Sequence, residues 1–356
     1  MERIPLIVRR LVAAEQHCNF VHYYLSFCDL SASPQVMETS KFSDAVTADS
    51  AVEGAQPEYK LVYDVMRSRD GRILFRQLYA ERFAHSLALV APDHVFPAEL
   101  LQVLQDRLQL YIDAPGVYYT GVTEQNVKIV SWLLDGAAAA SPIPAILMLP
   151  KSSYPPAAMY HDGAKLGFLY DAHRANPNAK VAQTALRNRA EAFQKENGLF
   201  EVLLVHSAAD GFLVPEGSRS NYLLQRRDGT WWCSAEEDIV VGITLKATYR
   251  VLEACGLGSV HHRKLNLKDV LECKSLYMLG TSPTILPVQS LLLYKSDDTR
   301  RCFDEATQAL GVDLTTGLCH AIHRTDDGCR AELVIPVDAE LAPRLRTQYI
   351  KEAESD

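Results

Sequence analysis

No two cysteines in this chain are separated by two residues; the eight present are scattered at Cys18, Cys28, Cys233, Cys255, Cys273, Cys302, Cys319 and Cys329. That spacing excludes a zinc-ribbon framework and a disulfide scaffold, and it predicts free thiols in a reducing compartment such as the cytoplasm. No apolar run is long enough to span a membrane. No basic run stands out against a net charge of -8, so nucleic acid and anionic lipid are not expected partners. Internal repeats and low-complexity tracts are absent too. The slightly basic, apolar residues 1–11 are followed closely by Glu15 and make a poor secretory signal; a mitochondrial address is the alternative they leave open. What remains is a 356-residue chain, 48% hydrophobic and 22% charged, with enough length for two domains.

Local patterns place the elements. A first domain is expected over 1–150, with a polar, small-residue loop or mobile segment at 31–57. Residues 59–67 are rich in β-branched and aromatic side chains and predict a strand, followed by the turn 69–72 and a returning strand at 73–76. Helical spacing follows over 78–90 and again over 97–110, where Leu100, Leu101, Leu104 and Leu108 form one stripe. Residues 117–121, 127–134 and 144–149 read as further strands. An interdomain linker is expected over 151–163, and a larger domain over 164–356. In the latter, Lys180 is expected at a loop-to-helix junction, with a helix over 181–197 stopped by Gly198. Residues 276–279 and 285–288 read as strands, 245–254 and 339–352 as helices, and 299–333 as an added segment whose apolar runs are all interrupted.

The organising stretch is 211–224. An apolar strand at 201–205 precedes it and a second strand at 222–225 follows, and between them a small-residue loop carries Glu216, Ser218, Ser220 and Asn221. Small residues let a backbone approach a ligand closely. Gly242-Ile243-Thr244 opens a helix, whose free N–H groups and positive dipole end suit a phosphate. Gly280-Thr281-Ser282 follows a strand and offers two hydroxyls. A lysine able to form a Schiff base, a carboxylate for a pyridine nitrogen and a phosphate cup together are what pyridoxal phosphate requires.

In order and spacing these features resemble the class IV, or fold-type IV, pyridoxal-phosphate enzymes: branched-chain and D-amino-acid aminotransferases and aminodeoxychorismate lyase. The resemblance covers residues 61–288 and is strongest in Glu-Gly-Ser-Arg-Ser-Asn at 216–221, Gly-Ile-Thr at 242–244 and Gly-Thr-Ser-Pro-Thr-Ile-Leu-Pro-Val at 280–288. It implies an α/β (α+β) fold, a small α/β sandwich domain plus a larger domain with a β-barrel-like core. The cofactor implied is pyridoxal 5'-phosphate, and the partners are an amino acid, a 2-keto acid and a second copy of the chain, since the family places its site between domains near a dimer interface. Lys180 matches the Schiff-base lysine and Glu216 the carboxylate that pairs with the ring nitrogen. Arg82 matches a phosphate-binding arginine. Ser220, Asn221, Gly242, Ile243, Thr244, Thr281 and Ser282 match the cofactor-binding loops, and Tyr63 an aromatic of the substrate pocket.

Some positions depart from the family. Leu245 stands where arginine usually follows Gly-Ile-Thr. Ala182-Gln183-Thr184-Ala185 replaces the Gly-Gly-Asn-Tyr of the branched-chain enzymes, and residues 118–123 lack a substrate-holding arginine. Val65 stands where the lyases carry threonine, which favours transamination over elimination because valine has no hydroxyl to assist a leaving group. Three readings are therefore distinguished: an aminotransferase, a lyase of the aminodeoxychorismate type, and a non-catalytic relative. The donor, acceptor and stereochemistry are not encoded in any of these motifs.

Overall fold

The computed structural model describes residues 4–14, 20–26, 33–40, 42, 59–114, 124–134, 143–150, 152–209, 211–294, 322–324 and 330–355. The expected strand at 117–121, most of 31–57 and most of 299–333 lie outside the described residues. The fold is mixed α/β, and the chain divides into two compact units. The first comprises residues up to Ser153 together with Ala179–Ala182; the second comprises Tyr154–Asn178 and Gln183–Ser355.

The first unit is built on a six-stranded sheet of β1 (Phe20–Tyr24), β2 (Gln35–Glu38), β3 (Tyr59–Arg69), β4 (Arg72–Ile73), β5 (Glu124–Leu134) and β6 (Ala145–Met148). Its order is β2-β1-β6-β5-β3-β4. Helix α1 (Leu6–Ala14) precedes the sheet, and α2 (Arg76–Val90) and α3 (Leu100–Asp113) lie between β4 and β5. Helix α2 packs on β3, and α3 packs on α2. In β3, Tyr63 and Val65 are half-buried while Val62, Asp64 and Met66 are buried, the period-2 alternation of a strand whose two faces differ. The returning strand expected at 73–76 is cut to two residues because Phe75 takes a left-handed conformation (φ 54), turning the chain into α2.

The start of β5 carries an ion-pair node. Glu124 accepts from Arg67 Nη2 and from Arg69 Nε (2.6 Å) and Nη2. Burial pushes the Glu124 carboxyl up, but the two guanidinium groups outweigh it and hold the group below its ordinary value. A depressed folded-state pKa contributes stability that is fully present above the unfolded carboxylate value, about 4.3, and is lost as pH falls through the folded value. Glu124→Gln should thus lower stability at pH 7 by about 1.5–3 kcal/mol, the range for hydrogen bonds to charged groups. The gap from wild type should narrow in urea titrations as pH is lowered from 7 towards 3; a gap that is constant with pH would refute the linkage.

The second unit centres on a nine-stranded sheet whose main path is β13-β12-β11-β14-β15-β17-β16. These strands are β11 (Asn221–Gln225), β12 (Trp231–Ser234), β13 (Val260–Arg263), β14 (Ser275–Gly280), β15 (Thr284–Tyr294), β16 (Ile322–Arg324) and β17 (Arg330–Val334). The sheet branches at β15, to which β7 (Ala164–Leu169) pairs in parallel, with β8 (Glu201–Leu204) parallel to β7. Residues 330–333, the end of the segment expected to be an addition, lie in β17 and are therefore part of a rung of the main sheet. A separate hairpin joins β9 (His206–Ala208) and β10 (Gly211–Leu213). One apolar core runs beneath these strands, including Phe168, Leu203, Tyr222, Met278, Leu286 and Leu291.

Among the described residues, this unit also has the α-helices α4 (Ala157–Asp162), α5 (Thr184–Asn197), α6 (Ile243–Ala254), α7 (Leu267–Leu271) and α8 (Leu341–Ser355). Much of the stretch expected as a linker, 151–163, is thus the helix α4, packed on β15 and α8. Gly198 closes α5 in the left-handed conformation, as a glycine stop should. Among the described residues, Cys233, Cys255 and Cys273 are buried thiols outside any disulfide. No helix among them is long and apolar enough to cross a membrane.

Candidate active site

The first unit carries Lys180. Residues 180–182 do not begin a helix, as their spacing suggests, because their backbone is taken by β3. Tyr63 N donates to Lys180 O (3.1 Å) and Ala182 N donates to Leu61 O (2.9 Å). Lys180 N donates to Ser86 Oγ (3.2 Å) from α2, and Val62 and Val181 form a β-bridge. This three-residue patch belongs to the first unit, although the larger domain was expected to begin at 164. The Lys180 ammonium lies 5.4 Å from the centre of the Tyr63 ring.

On the same face of the sheet as Tyr63 is Val65, which stands opposite Lys128 on β5. Lys128 is buried, and its ammonium lies 5.9 Å from the Tyr63 ring. A lysine within the largely apolar run 127–134 is a signal the sequence did offer. Arg82 projects from α2 to Asp64, with Nε to Oδ2 at 2.8 Å and Nη2 to Oδ1 at 2.5 Å. Asp64 Oδ1 also accepts from Val65 N (2.7 Å). Burial works against the Arg82 charge, yet Asp64 more than offsets it and holds the guanidinium pKa above its ordinary value. Two of the five N–H donors of Arg82 are committed to Asp64, a partner the sequence reading did not foresee.

The second unit carries the loop 214–221. Glu216 is 3% exposed. Its Oε2 accepts from Val240 N (3.3 Å) and its Oε1 lies 2.7 Å from Arg174 Nε, close as an ion pair though outside hydrogen-bond alignment. Arg174 also donates to Ser218 O (2.5 Å), so a loop residue that reads as a surface charge is a buried cation against Glu216. The loop cannot be relaxed at Gly217: a Cβ there would stand 2.2 Å from Ser220 Oγ.

Asn221 ties this loop to the start of α6. Its Oδ1 accepts from Gly242 N (3.0 Å) and its Nδ2 donates to Val240 O (3.0 Å). A side chain at Gly242 would meet Asn221 Oδ1 at 2.2 Å, so the approach needs glycine. Helix α6 then begins with Ile243 and Thr244, both buried, and has no side-chain cap. Its opening N–H groups are the donors a helix leaves to an anion. Leu245, which stands where the resemblance expects arginine, is fully buried among the core residues.

Thr281 and Ser282 lie half-buried in the turn between β14 and β15. The turn closes at Thr284, which pairs with Gly280 and has φ 58, an uncommon conformation for a β-branched residue. Its Oγ1 is buried with no hydrogen-bond partner among the described residues. Among the described residues, no group of three or more His, Cys, Asp or Glu side chains is arranged to hold a metal ion.

The structure therefore brings Glu216, Ser220, Asn221, Gly242, Ile243 and Thr244 together in the second unit, and Lys180, Tyr63 and the Arg82–Asp64 pair together in the first. A family model described as Amino-transferase class IV matches residues 61–291. No curated protein sequence matches the chain. Solved structures with a similar fold include a branched-chain amino acid aminotransferase from T.th. with pyridoxamine 5'-phosphate, at 16% identity and TM-score 0.61 over 95% of each chain. A hypothetical aminotransferase from Mycobacterium tuberculosis gives 15% identity and TM-score 0.61, over 95% of this chain and 99% of that one. The fold IV-transaminase CpuTA1 from Curtobacterium pusillum gives 16% and 0.59, over 93% and 99%.

Proposed function

Because the chain belongs to the class IV aminotransferase family, we propose that it moves an amino group from an amino acid to a 2-keto acid with pyridoxal 5'-phosphate as cofactor. The observation that carries this is the Asn221 amide. It locks the loop of a buried carboxylate, Glu216, onto the uncapped start of α6 at Gly242. A carboxylate and a helix N-terminus held by one loop fit the two ends of this cofactor, a protonated ring nitrogen and a phosphate.

When bound, the cofactor supplies an aldehyde for amine exchange and a ring that takes up the electron pair left on the substrate α-carbon. The rest falls to this chain. Glu216 pairs with the ring nitrogen and favours its protonated form. The N–H groups of Ile243 and Thr244, with the Thr281 and Ser282 hydroxyls, hold the phosphate, and Arg82 adds the donors that Asp64 leaves uncommitted. Ser220 acts from behind, its hydroxyl being turned to Glu201 (3.2 Å). Lys180 Nζ provides the covalent attachment and moves the proton at the substrate α-carbon, with Tyr63 lining the substrate side. A second copy of the chain as partner is part of the same proposal.

The lyase reading is disfavoured by Val65, which presents two methyl groups beside Lys128 and Tyr63 where an elimination would use a hydroxyl. The test loads the protein with pyridoxal phosphate, adds one amino donor alone, and then adds a keto acid. The expected result is one keto acid formed per amino group transferred, and borohydride reduction before substrate should leave the phosphopyridoxyl mass on Lys180. Pyruvate release from aminodeoxychorismate, with no transfer from any amino acid, would replace transamination with elimination.

A further inference from the structure

Glu201 is a carboxylate with no exposed surface at the first position of β8. Five donors converge on it. Oε1 accepts from Gln194 Nε2 of α5 (2.8 Å), from its neighbour Val202 N (2.8 Å) and from Ser218 Oγ (2.6 Å). Oε2 accepts from Arg219 N (3.1 Å) and Ser220 Oγ (3.2 Å), and the Arg219 guanidinium stands 4.0 Å away. Two carboxylate oxygens offer about four lone-pair sites, so this acceptor is saturated. A carboxylate is costly to bury unless it is answered in this way.

Three of the five donors belong to consecutive residues, 218–220, of the loop that carries Glu216 and Asn221. The loop backbone around them is held on the same strand: Ser218 N donates to Val202 O (2.9 Å) and Leu204 N donates to Glu216 O (2.8 Å). Gly217 N closes the turn onto Ser220 O (2.7 Å). Beyond the loop, Asn221 continues the chain of contacts to Gly242 and the start of α6. One buried acceptor thus fixes α5, β8 and the loop. Without it, the Ser218 and Ser220 hydroxyls, the Arg219 N–H and the Gln194 amide would lose the acceptor they share.

We propose that Glu201 is a positioning residue for cofactor binding. It shapes residues 216–221 so that Glu216 and the Asn221–Gly242 contact are preset before the cofactor arrives. This rests on the reading of that loop as the cofactor loop. A glutamine at 201 keeps the shape but replaces one acceptor oxygen with an NH2 group aimed at other donors. Aspartate keeps both oxygens and sets them back by one methylene.

The experiment measures the dissociation constant of pyridoxal phosphate by absorbance and tryptophan fluorescence, with the melting temperature of the cofactor-free protein alongside. Glu201→Gln should weaken binding at least tenfold and move the pH at which the bound cofactor's absorbance changes. Glu201→Asp should fall between it and wild type. If Glu201→Gln does not fold, Ser218→Ala decides: loss of one donor should weaken binding about threefold to tenfold while the cofactor-free melting temperature stays within a few degrees. Lowered melting temperature with unchanged affinity and unchanged pH profile, in whichever variant decides, would overturn the proposal and leave Glu201 a structural residue. Wild-type protein that binds no pyridoxal phosphate would instead overturn the underlying functional reading.

Discussion

Lys180→Ala is expected to abolish transamination, by about 10⁴-fold or more, while leaving the fold intact. The magnitude follows from losing a proton carrier, worth up to about 10⁴ when well positioned, together with the covalent attachment. The intact fold follows from how residue 180 is held. Its anchoring contacts are made by backbone atoms, Lys180 O to Tyr63 N and Lys180 N to Ser86 Oγ, and alanine keeps both. The contact of the Lys180 side chain with the Tyr63 ring is worth about 0.5–1 kcal/mol. The variant should melt within a few degrees of wild type and bind pyridoxal phosphate reversibly, and borohydride should no longer fix the cofactor to the chain. Retention of the reduced label at another lysine would remove Lys180 from its assigned role.

Glu216→Gln should be the other severe substitution, and for two separable reasons. The first is chemical: a neutral amide no longer favours a protonated ring nitrogen, and turnover should drop by about 10²-fold or more, the scale of losing one preorganised electrostatic partner. The second is structural. Glu216 and Arg174 are an ion pair with side chains only 4% and 8% exposed. Removing one partner strands a buried charge, at a cost of about 3 kcal/mol, the lower end for such pairs because Arg174 keeps its bond to Ser218 O. A double-variant cycle separates the two effects. Arg174→Met alone should also destabilise, and Glu216→Gln with Arg174→Met should recover part of the stability but none of the turnover. Additive stability losses would mean that the two side chains do not act as a pair, and restored turnover would remove Glu216 from the chemistry.

The sequence was most legible where one element decides its own structure. The stripe of Leu100, Leu104 and Leu108 makes α3, and the β-branched and aromatic run through 59–67 makes β3, because these patterns are local. Gly242 before Ile243 and Thr244 announces α6 for the same reason. The spacing predicts a helix over 181–197, and nothing nearby reveals that β3, more than a hundred residues earlier, takes the backbone of 180–182. Arg174, Glu201 and Asp64 escaped notice for a different reason. A charged residue in sequence defaults to solvent, and only the fold brings its buried counter-group. For Glu201 a signal existed: a run of Val, Leu and Leu with every position buried leaves no solvent face for its first member either.

The placement of residues 179–182 also limits how this protein can be dissected. Along β3, strand pairing with β4 reaches only Ser68 and Arg69, so the edge from Leu61 to Tyr63 is covered by the 180–182 patch. A fragment ending at residue 153 would keep nearly all of the first unit but bare that edge. It would then present unpaired N–H and C=O groups to any other chain, the usual start of edge-to-edge aggregation. The short segment that delivers the lysine is also the selvage of the sheet, and a peptide spanning 179–182 supplied in trans would have to mend both.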